Sequence, residues 1–346
     1  MMDNGMMQGV FYTAPNTLGI REVPIPDPGP GEILVKIKAA TTCGTDLKTY
    51  RRGHPKFPPP FLFGHEFAGD VVSVGGEVEN FLPGMRVTAN VFAPCGDCYY
   101  CRQGQDNLCE SLEYNFGAFA EYIVIPSSIV KMNTFRIPDD MPYEHAAVLE
   151  PLVSVVHGQR RAAIQPGETV AVIGAGGAIS LFHLQLALLA GASEVWGIGH
   201  SDARLAVFSQ AGASRVINNK RESAIDRVKE WTNGRGADVV IECAGTKNAW
   251  EDAVRMVRKG GRVLWFGGLP SGTKIELDSA WIHYGEITLL GVHGGTVEDA
   301  QEAYRLLVSG EVDPSPLLSG EFCLERIEEA FQQMIDGTAI KLVIRP

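Results

Sequence analysis

The chain has 346 residues, of which 45% are hydrophobic and 21% charged, and a formal net charge of -11. That length calls for two cores rather than one, and the acidic balance excludes a protein that tracks nucleic-acid phosphates, which needs a basic face. No apolar run reaches the roughly 18 residues of a membrane span, and the start Met1-Met2-Asp3-Asn4-Gly5 lacks the basic and apolar regions of a signal peptide, so a cytoplasmic, reducing location is expected.

The first 150 residues are rich in Gly, Pro and β-branched residues. Ile33–Ala40 and Phe67–Val74 are predicted strands, with a turn at Pro28-Gly29-Pro30-Gly31, and an irregular β domain with loops is the simplest reading. Within it lie two suggestive segments, Cys43-Gly44-Thr45-Asp46 and Gly64-His65-Glu66.

Seven cysteines in a reducing compartment need a reason other than disulfides. Cys95, Cys98, Cys101 and Cys109 fall within fifteen residues, whereas Cys43, Cys243 and Cys323 stand apart. The spacing Cys95-x2-Cys98-x2-Cys101-x7-Cys109 supplies four thiolates from one loop, and a closed all-thiolate tetrahedron is the shell of a structural Zn2+. An iron–sulfur cluster is the alternative that this spacing leaves open. Cys243 is expected to be a small core residue.

From Glu168 the texture changes. Short apolar runs recur at Thr169–Ile173, Glu194–Ile198, Arg215–Ile217, Val239–Ile241, Arg262–Phe266 and Ile287–Val292. Helical stretches lie between most of them, at Ser180–Ala190, Ala203–Ala211, Glu222–Trp231 and Asn248–Arg258. Strands apolar on both faces and alternating with helices predict a doubly wound parallel sheet. Two amphipathic helices, Val297–Leu307 and Leu324–Ile335, and a strand Lys341–Ile344 follow and are expected to return to the first domain.

The first of these runs leads into Gly174-Ala175-Gly176-Gly177-Ala178-Ile179-Ser180 and then a helix. A glycine turn between strand and helix lets backbone N–H groups approach a pyrophosphate. Read from Gly174, the third glycine of G-x-G-x-x-G is Ile179. Read back from the helix, Ser180 takes that place and Ala175 the first, so the loop holds one residue more than the usual turn.

Together the four-cysteine lobe, Cys43-Gly44-Thr45-Asp46, Gly64-His65-Glu66 and Glu150-Pro151-Leu152 resemble the zinc-containing medium-chain dehydrogenases, in their polyol (sorbitol-type) and threonine dehydrogenase branch. The resemblance covers essentially the whole chain. It implies an α/β protein with a GroES-like β-rich catalytic domain over 1–153, whose structural-zinc lobe is 94–110. A doubly wound Rossmann cofactor-binding domain follows over 154–290, and 291–346 returns to the catalytic domain.

The resemblance also implies roles. Cys43 and His65 match ligands of a catalytic Zn2+, Glu66 the acidic residue that completes or flanks that shell, and Glu150 the place where other relatives put a second cysteine. Thr45 matches the hydroxyl that takes the alcohol proton. The implied reaction moves a hydride between a polyol, sugar or other secondary alcohol and a nicotinamide, with zinc acidifying the hydroxyl. Many relatives carry a relay His where this chain has Lys48. His54 could take its place or be an ordinary loop residue.

Gly174, Gly176, Gly177, Ala178 and Ile179 are then expected at the pyrophosphate, and Ala244 along the nicotinamide half. Gly199 aligns with the Asp of NAD-specific relatives. Its lack of a carboxylate, with Ser201 and Arg204 nearby, favours NADP, whereas Asp202 favours NAD if the turn is shifted. Tyr50, Glu113, Tyr114, Asn115 and His293 are candidates to pair with substrate hydroxyls. Rival readings are an L-threonine-type dehydrogenase, a zinc-free reductase, and a fold kept for binding with altered or lost dehydrogenase activity. A homodimer or homotetramer is expected, with no nucleic-acid or membrane partner.

Overall fold

The strands form where β-branched and aromatic residues place alternate side chains in a core, as in Ile33–Thr41, where Ile33, Val35 and Ile37 are buried and Lys36 is exposed. In this computed structural model residues 5–54 and 57–346 are described; 1–4, which belong to the N-terminal stretch weighed as a signal peptide, lie outside them. The chain divides into two units, one of residues 1–153 and 296–346, the other Ser154–Gly295. The second unit thus runs to Gly295, five residues beyond the end at 290 that the sequence pattern predicts.

In the first unit a hairpin of Met6–Ala14 and Thr17–Pro24 pairs with Phe61–Leu62. A seven-stranded sheet follows the order Thr134–Arg136, Arg86–Ala89, Phe67–Val74, Ile33–Thr41, Lys341–Arg345 and Leu318–Cys323, with Tyr122–Ile125 also pairing to Ile33–Thr41. The C-terminal strand is antiparallel to Ile33–Thr41, with Val343 opposite Thr41. That pairing delivers Lys341 to the residues around Thr42. The core beneath is built of Phe63, Phe67, Phe119, Ile125, Phe331 and Ile344.

The second unit is a six-stranded, all-parallel sheet in the order Arg215–Asn218, Glu194–Gly199, Thr169–Ile173, Ala237–Glu242, Val257–Trp265, Thr288–Gly291. Val170, Val172, Val239, Val240 and Ile241 are wholly buried, as expected of strands covered on both faces. The chain leaves Thr169–Ile173 toward one neighbour and later returns on its other side, so the order reverses there; open α/β sheets bind ligands at such a point. The expected helix Asn248–Arg258 runs Lys247–Met256, because the next strand begins directly at Val257, which pairs with Ala237.

Candidate active site and metal centres

Cys43 caps the helix Gly44–Arg52. Its N–H donates to Asp46 Oδ2 (3.0 Å), and its Sγ accepts from the Thr45 N–H (3.4 Å). Asp46, buried with 1% exposure, turns its other oxygen to His65 Nδ1 at 2.8 Å. One carboxylate therefore fixes both the cysteine backbone and the imidazole, leaving His65 Nε2 as the ring nitrogen that can face a metal. Ligand atoms of Cys43, His65 and Glu66 all lie within 4.8 Å of one another. Glu150, in the first turn of Leu149–Ala162, stands with Oε2 3.9 Å from His65 Nε2.

Glu66 is wholly buried. Its Oε2 accepts from the Lys341 ammonium and the Thr41 hydroxyl, and Lys341 Nζ also donates to Thr42 O at 2.8 Å. Its Oε1 has no hydrogen-bond partner among the described residues. A buried carboxylate oxygen left open costs free energy, and this one belongs to the group that converges with a thiol and an imidazole. The set of sulfur, nitrogen and oxygen donors fits Zn2+ with a position left for substrate. Burial, and next the Glu66 charge, raise the Cys43 pKa. Burial alone would lower that of His65, but Asp46 and Cys43 hold it well above the usual value. Burial raises Glu150. A cation among these groups would offset the crowding of negative charge.

In the lobe, the ligand atoms of Cys95, Cys98, Cys101 and Cys109 also lie within 4.8 Å of one another. Cys98 Sγ is 3.5 Å and Cys95 Sγ 4.0 Å from Cys101 Sγ, bracketing the ~3.8 Å edge of a tetrahedron with Zn–S of about 2.3 Å. Backbone N–H groups already point at the sulfurs, from Cys98 to Cys95 (3.4 Å), from Cys95 to Cys109 (3.2 Å) and from Ser111 to Cys109 (3.3 Å). Such donors, from Cys101 and Glu110, bring Cys98 down to about 6. Burial and the neighbouring sulfurs push Cys101 the other way, up to about 12, so the four sulfurs crowd one another without a cation between them.

A cavity of about 650 Å³ opens in the second unit, lined among others by Gly174, Ala175, Gly177, Gly199, Ser201, Arg204, Asn219, Cys243, Ala244 and Thr246. Six of the predicted cofactor residues therefore share one cavity. Gly176, Ala178 and Ile179 are not on its lining. Gly174 has φ +90°, and a Cβ there would come within 2.9 Å of Ala244 N. Gly176 backs onto the next helix instead, where a Cβ would meet Arg204 Cβ at 2.4 Å. The helix begins at Ala178, capped by Gly177, and Ser180 folds its buried hydroxyl back onto Gly177 O (2.8 Å). The loop thus carries an added residue, with Ser180 packed where a third glycine would sit. Cradles that only glycine fits, beside helix amides without intrahelical acceptors, suit a dinucleotide pyrophosphate.

At the carboxyl edge of the sheet Glu242 is wholly buried, with Oε1 accepting from Ala244 N (2.7 Å) and Gly245 N (2.8 Å). Burial pushes its carboxyl up to about 7. It ties down the loop that carries Ala244.

Several sequence readings change. Asp202 points away from the cavity, to Arg221 (2.5 Å) and Asn218 (2.7 Å), so it does not stand in for the missing acid at Gly199. Glu113 accepts from the Ser128 hydroxyl, and Asn115 Nδ2 donates to Val124 O at 3.1 Å, so each already holds one partner within this unit. His183 lies in the core. Lys341 was missed; a lone lysine in an apolar C-terminal strand was its only signal.

The alcohol dehydrogenase GroES-like domain matches residues 29–139, and the zinc-binding dehydrogenase domain matches residues 178–309. The chain is 33% identical over 337 residues to sorbitol dehydrogenase of Bacillus subtilis (strain 168), covering 94% of each. It is 34% identical over 331 residues to L-threonine 3-dehydrogenase of Pyrococcus abyssi (strain GE5 / Orsay), covering 93% of each. A Sinorhizobium meliloti 1021 protein solved bound to NADP superposes with a TM-score of 0.91 at 32% identity over 99% of each chain. The chain belongs to the zinc-binding dehydrogenases, in their polyol and threonine dehydrogenase branch. It is an oxidoreductase acting on an alcohol.

Proposed function

We propose that the chain moves a hydride between a secondary alcohol and a nicotinamide dinucleotide, using one Zn2+ at Cys43, His65 and Glu66 with Glu150 flanking the open position, and a second, structural Zn2+ in the lobe. The observation that carries this reading is the convergence of Cys43, His65 and buried Glu66, whose Oε1 has no hydrogen-bond partner among the described residues. Bound there, zinc would supply Lewis acidity to the hydroxyl and the nicotinamide would serve as hydride acceptor. The chain's own residues do the rest. Asp46 orients His65 and the Cys43 backbone, Lys341 balances the Glu66 charge, and the exposed Thr45, beside the sulfur, relays the alcohol proton by accepting it while passing its own hydroxyl proton to solvent.

The cavity at Gly174, Gly177, Gly199, Ser201, Arg204 and Ala244 takes the dinucleotide, with Gly176, Ala178 and Ile179 shaping the loop. Gly199 carries no acid to repel a 2′-phosphate, and Arg204 is a cation on the lining, which favours NADP over NAD. A hydroxy-amino acid, as the name of the threonine dehydrogenase relative suggests, is the second reading. Seven free cysteines suit the cytoplasm, and no helix among the described residues is long and apolar enough to cross a membrane. Among the described residues the strand Thr288–Gly291 pairs on one side only, and its free edge is where a second copy would add to make the homodimer or homotetramer.

The test is metal content together with turnover. Purified protein should hold two zincs per chain and oxidise secondary alcohols with a nicotinamide cofactor. Cys43→Ala should lose one zinc and about a thousandfold in rate while staying folded. Undiminished turnover in that variant would refute the site.

A further inference from the structure

The wall of the site beside His65 is made of rings. Phe116 lies 5.7 Å from the His65 ring and Phe57 4.4 Å from Phe116, centroid to centroid. Phe57 in turn is 4.8 Å from His54, 5.8 Å from Tyr114 and 6.1 Å from Phe61. These side chains are half-buried, whereas the layer behind them, Phe63 and Phe119, is sealed at 1% and 0% exposure. The outer rings therefore keep open aromatic surface next to a metal ligand.

Three of the polar side chains that could serve a chain of hydroxyls hold partners elsewhere in this unit. Glu113 accepts from Ser128 and Asn115 donates to Val124 O. The Tyr50 hydroxyl donates to Asn16 O at 3.3 Å, and its ring stacks on Phe331 at 5.3 Å. A polyhydroxylated arm laid on the faces of Phe57 and Phe116 would lose water from hydroxyls that gain no partner from those rings, whereas an apolar arm would gain by leaving water.

We propose that this aromatic wall selects a secondary alcohol, or its ketone, bearing an alkyl or aryl arm on the carbinol carbon, with Phe57 and Phe116 setting the preference over polyols. The inference rests on the dehydrogenase reading for the placement of the carbinol at His65, but its test does not need turnover.

Calorimetric binding to the zinc-loaded full chain is compared for 2-butanol, 2-hexanol, 2-octanol, 1-phenylethanol, xylitol and sorbitol. Affinity should climb by about fourfold per methylene along the alkanols, and 2-hexanol should bind at least tenfold more tightly than either polyol. Phe57→Ala and Phe116→Ala should flatten that climb, and Phe116→Leu, which keeps an apolar filling and guards against misfolding, should retain most of it. A flat alkanol series, polyols binding as tightly as 2-hexanol, or an unchanged slope in both alanine variants overturns the proposal. Turnover of the same panel separates the two ideas. A steep alkanol series with no hydride transfer to either cofactor upholds the wall and removes the dehydrogenase reading. Faster turnover of polyols than of alkanols upholds the dehydrogenase and removes the wall.

Discussion

The two sulfur-bearing sites of this chain are made by opposite routes. The lobe takes its four donors from fifteen consecutive residues, and backbone N–H groups of the same loop stabilise the thiolates. The mixed site draws Cys43 from a helix cap, His65 and Glu66 from the residues ahead of a strand, and Glu150 from another helix. Its buried cation, Lys341, is 275 residues from Glu66 in sequence. A closed chelate can be written locally because every donor finds its partner within the shell. A reactive site must keep one position open and its charges out of water, and only the assembled fold can do that.

The largest effect that tests this contrast is on Lys341. With 2% exposure it faces a wholly buried Glu66, and taking away one partner of a buried ion pair costs about 3–5 kcal/mol. Lys341→Met should lower the unfolding free energy of the zinc-loaded protein by that amount in urea, and Lys341→Arg should recover most of it. A loss under ~1 kcal/mol would show that the fold does not depend on this pair. The lobe should behave differently. Cys98→Ser should cost more than about 2 kcal/mol and one zinc, yet leave turnover per folded chain within about twofold. Normal stability with lost turnover would make the lobe the reactive centre and not the structural one, since that is the outcome expected of Cys43→Ala.

The same contrast explains what could be read in advance. The lobe, the six strands of the parallel sheet and the glycine turn are local patterns, so spacing and periodicity disclosed them. Cys43, His65 and Glu66 became a site only through the family likeness, because lone residues in a β domain carry no pattern. Lys341 was not legible, since its partner lies at the far end of the chain. The extra residue at 174–180 was visible as a count, but its consequence was not. Gly176 turns onto the Arg204 backbone while Ser180 packs beneath Gly177, and that choice is made by helix packing.

Burial of a polar atom does not by itself mark a site, and His183 shows the difference from Glu66. It is wholly buried, its Nδ1 faces Gln159 Nε2 at 3.1 Å, its ring meets Phe266 edge-on, and its Nε2 has no partner among the described residues. Burial pushes its pKa down from 6.5 to about 3. Between those values the unfolded chain binds a proton that the folded chain does not. Stability from this group is therefore complete above pH 6.5 and falls by about 1.4 kcal/mol per unit as the pH drops toward 3. His183→Met should remove that part of the slope in urea titrations at several pH values, with zinc content unchanged. An identical slope in the variant would mean that other groups carry the acid sensitivity.

The smallest effect concerns the choice between the two nicotinamide cofactors, where the second unit is read as closely as the metal sites. At Gly199 a Cβ would come within 3.0 Å of Ala175 O and 3.2 Å of Leu205 Cδ2, so the loop with its added residue leaves little room for the acid that would bind a free ribose. Asp202 is held by Arg221 and Asn218. Arg204 remains as the cation on the lining, and a guanidinium recognises phosphate by charge and by geometry together. Arg204→Gln keeps the stem that packs on Gly176 and removes the charge. NADPH affinity should fall about tenfold, or roughly 1.4 kcal/mol, while NADH affinity changes by less than about twofold. Fluorescence titration of both cofactors reads this directly. An equal loss for both would mean that Arg204 supports the loop and takes no part in choosing the nucleotide, and the proposed preference for NADP would fall with it.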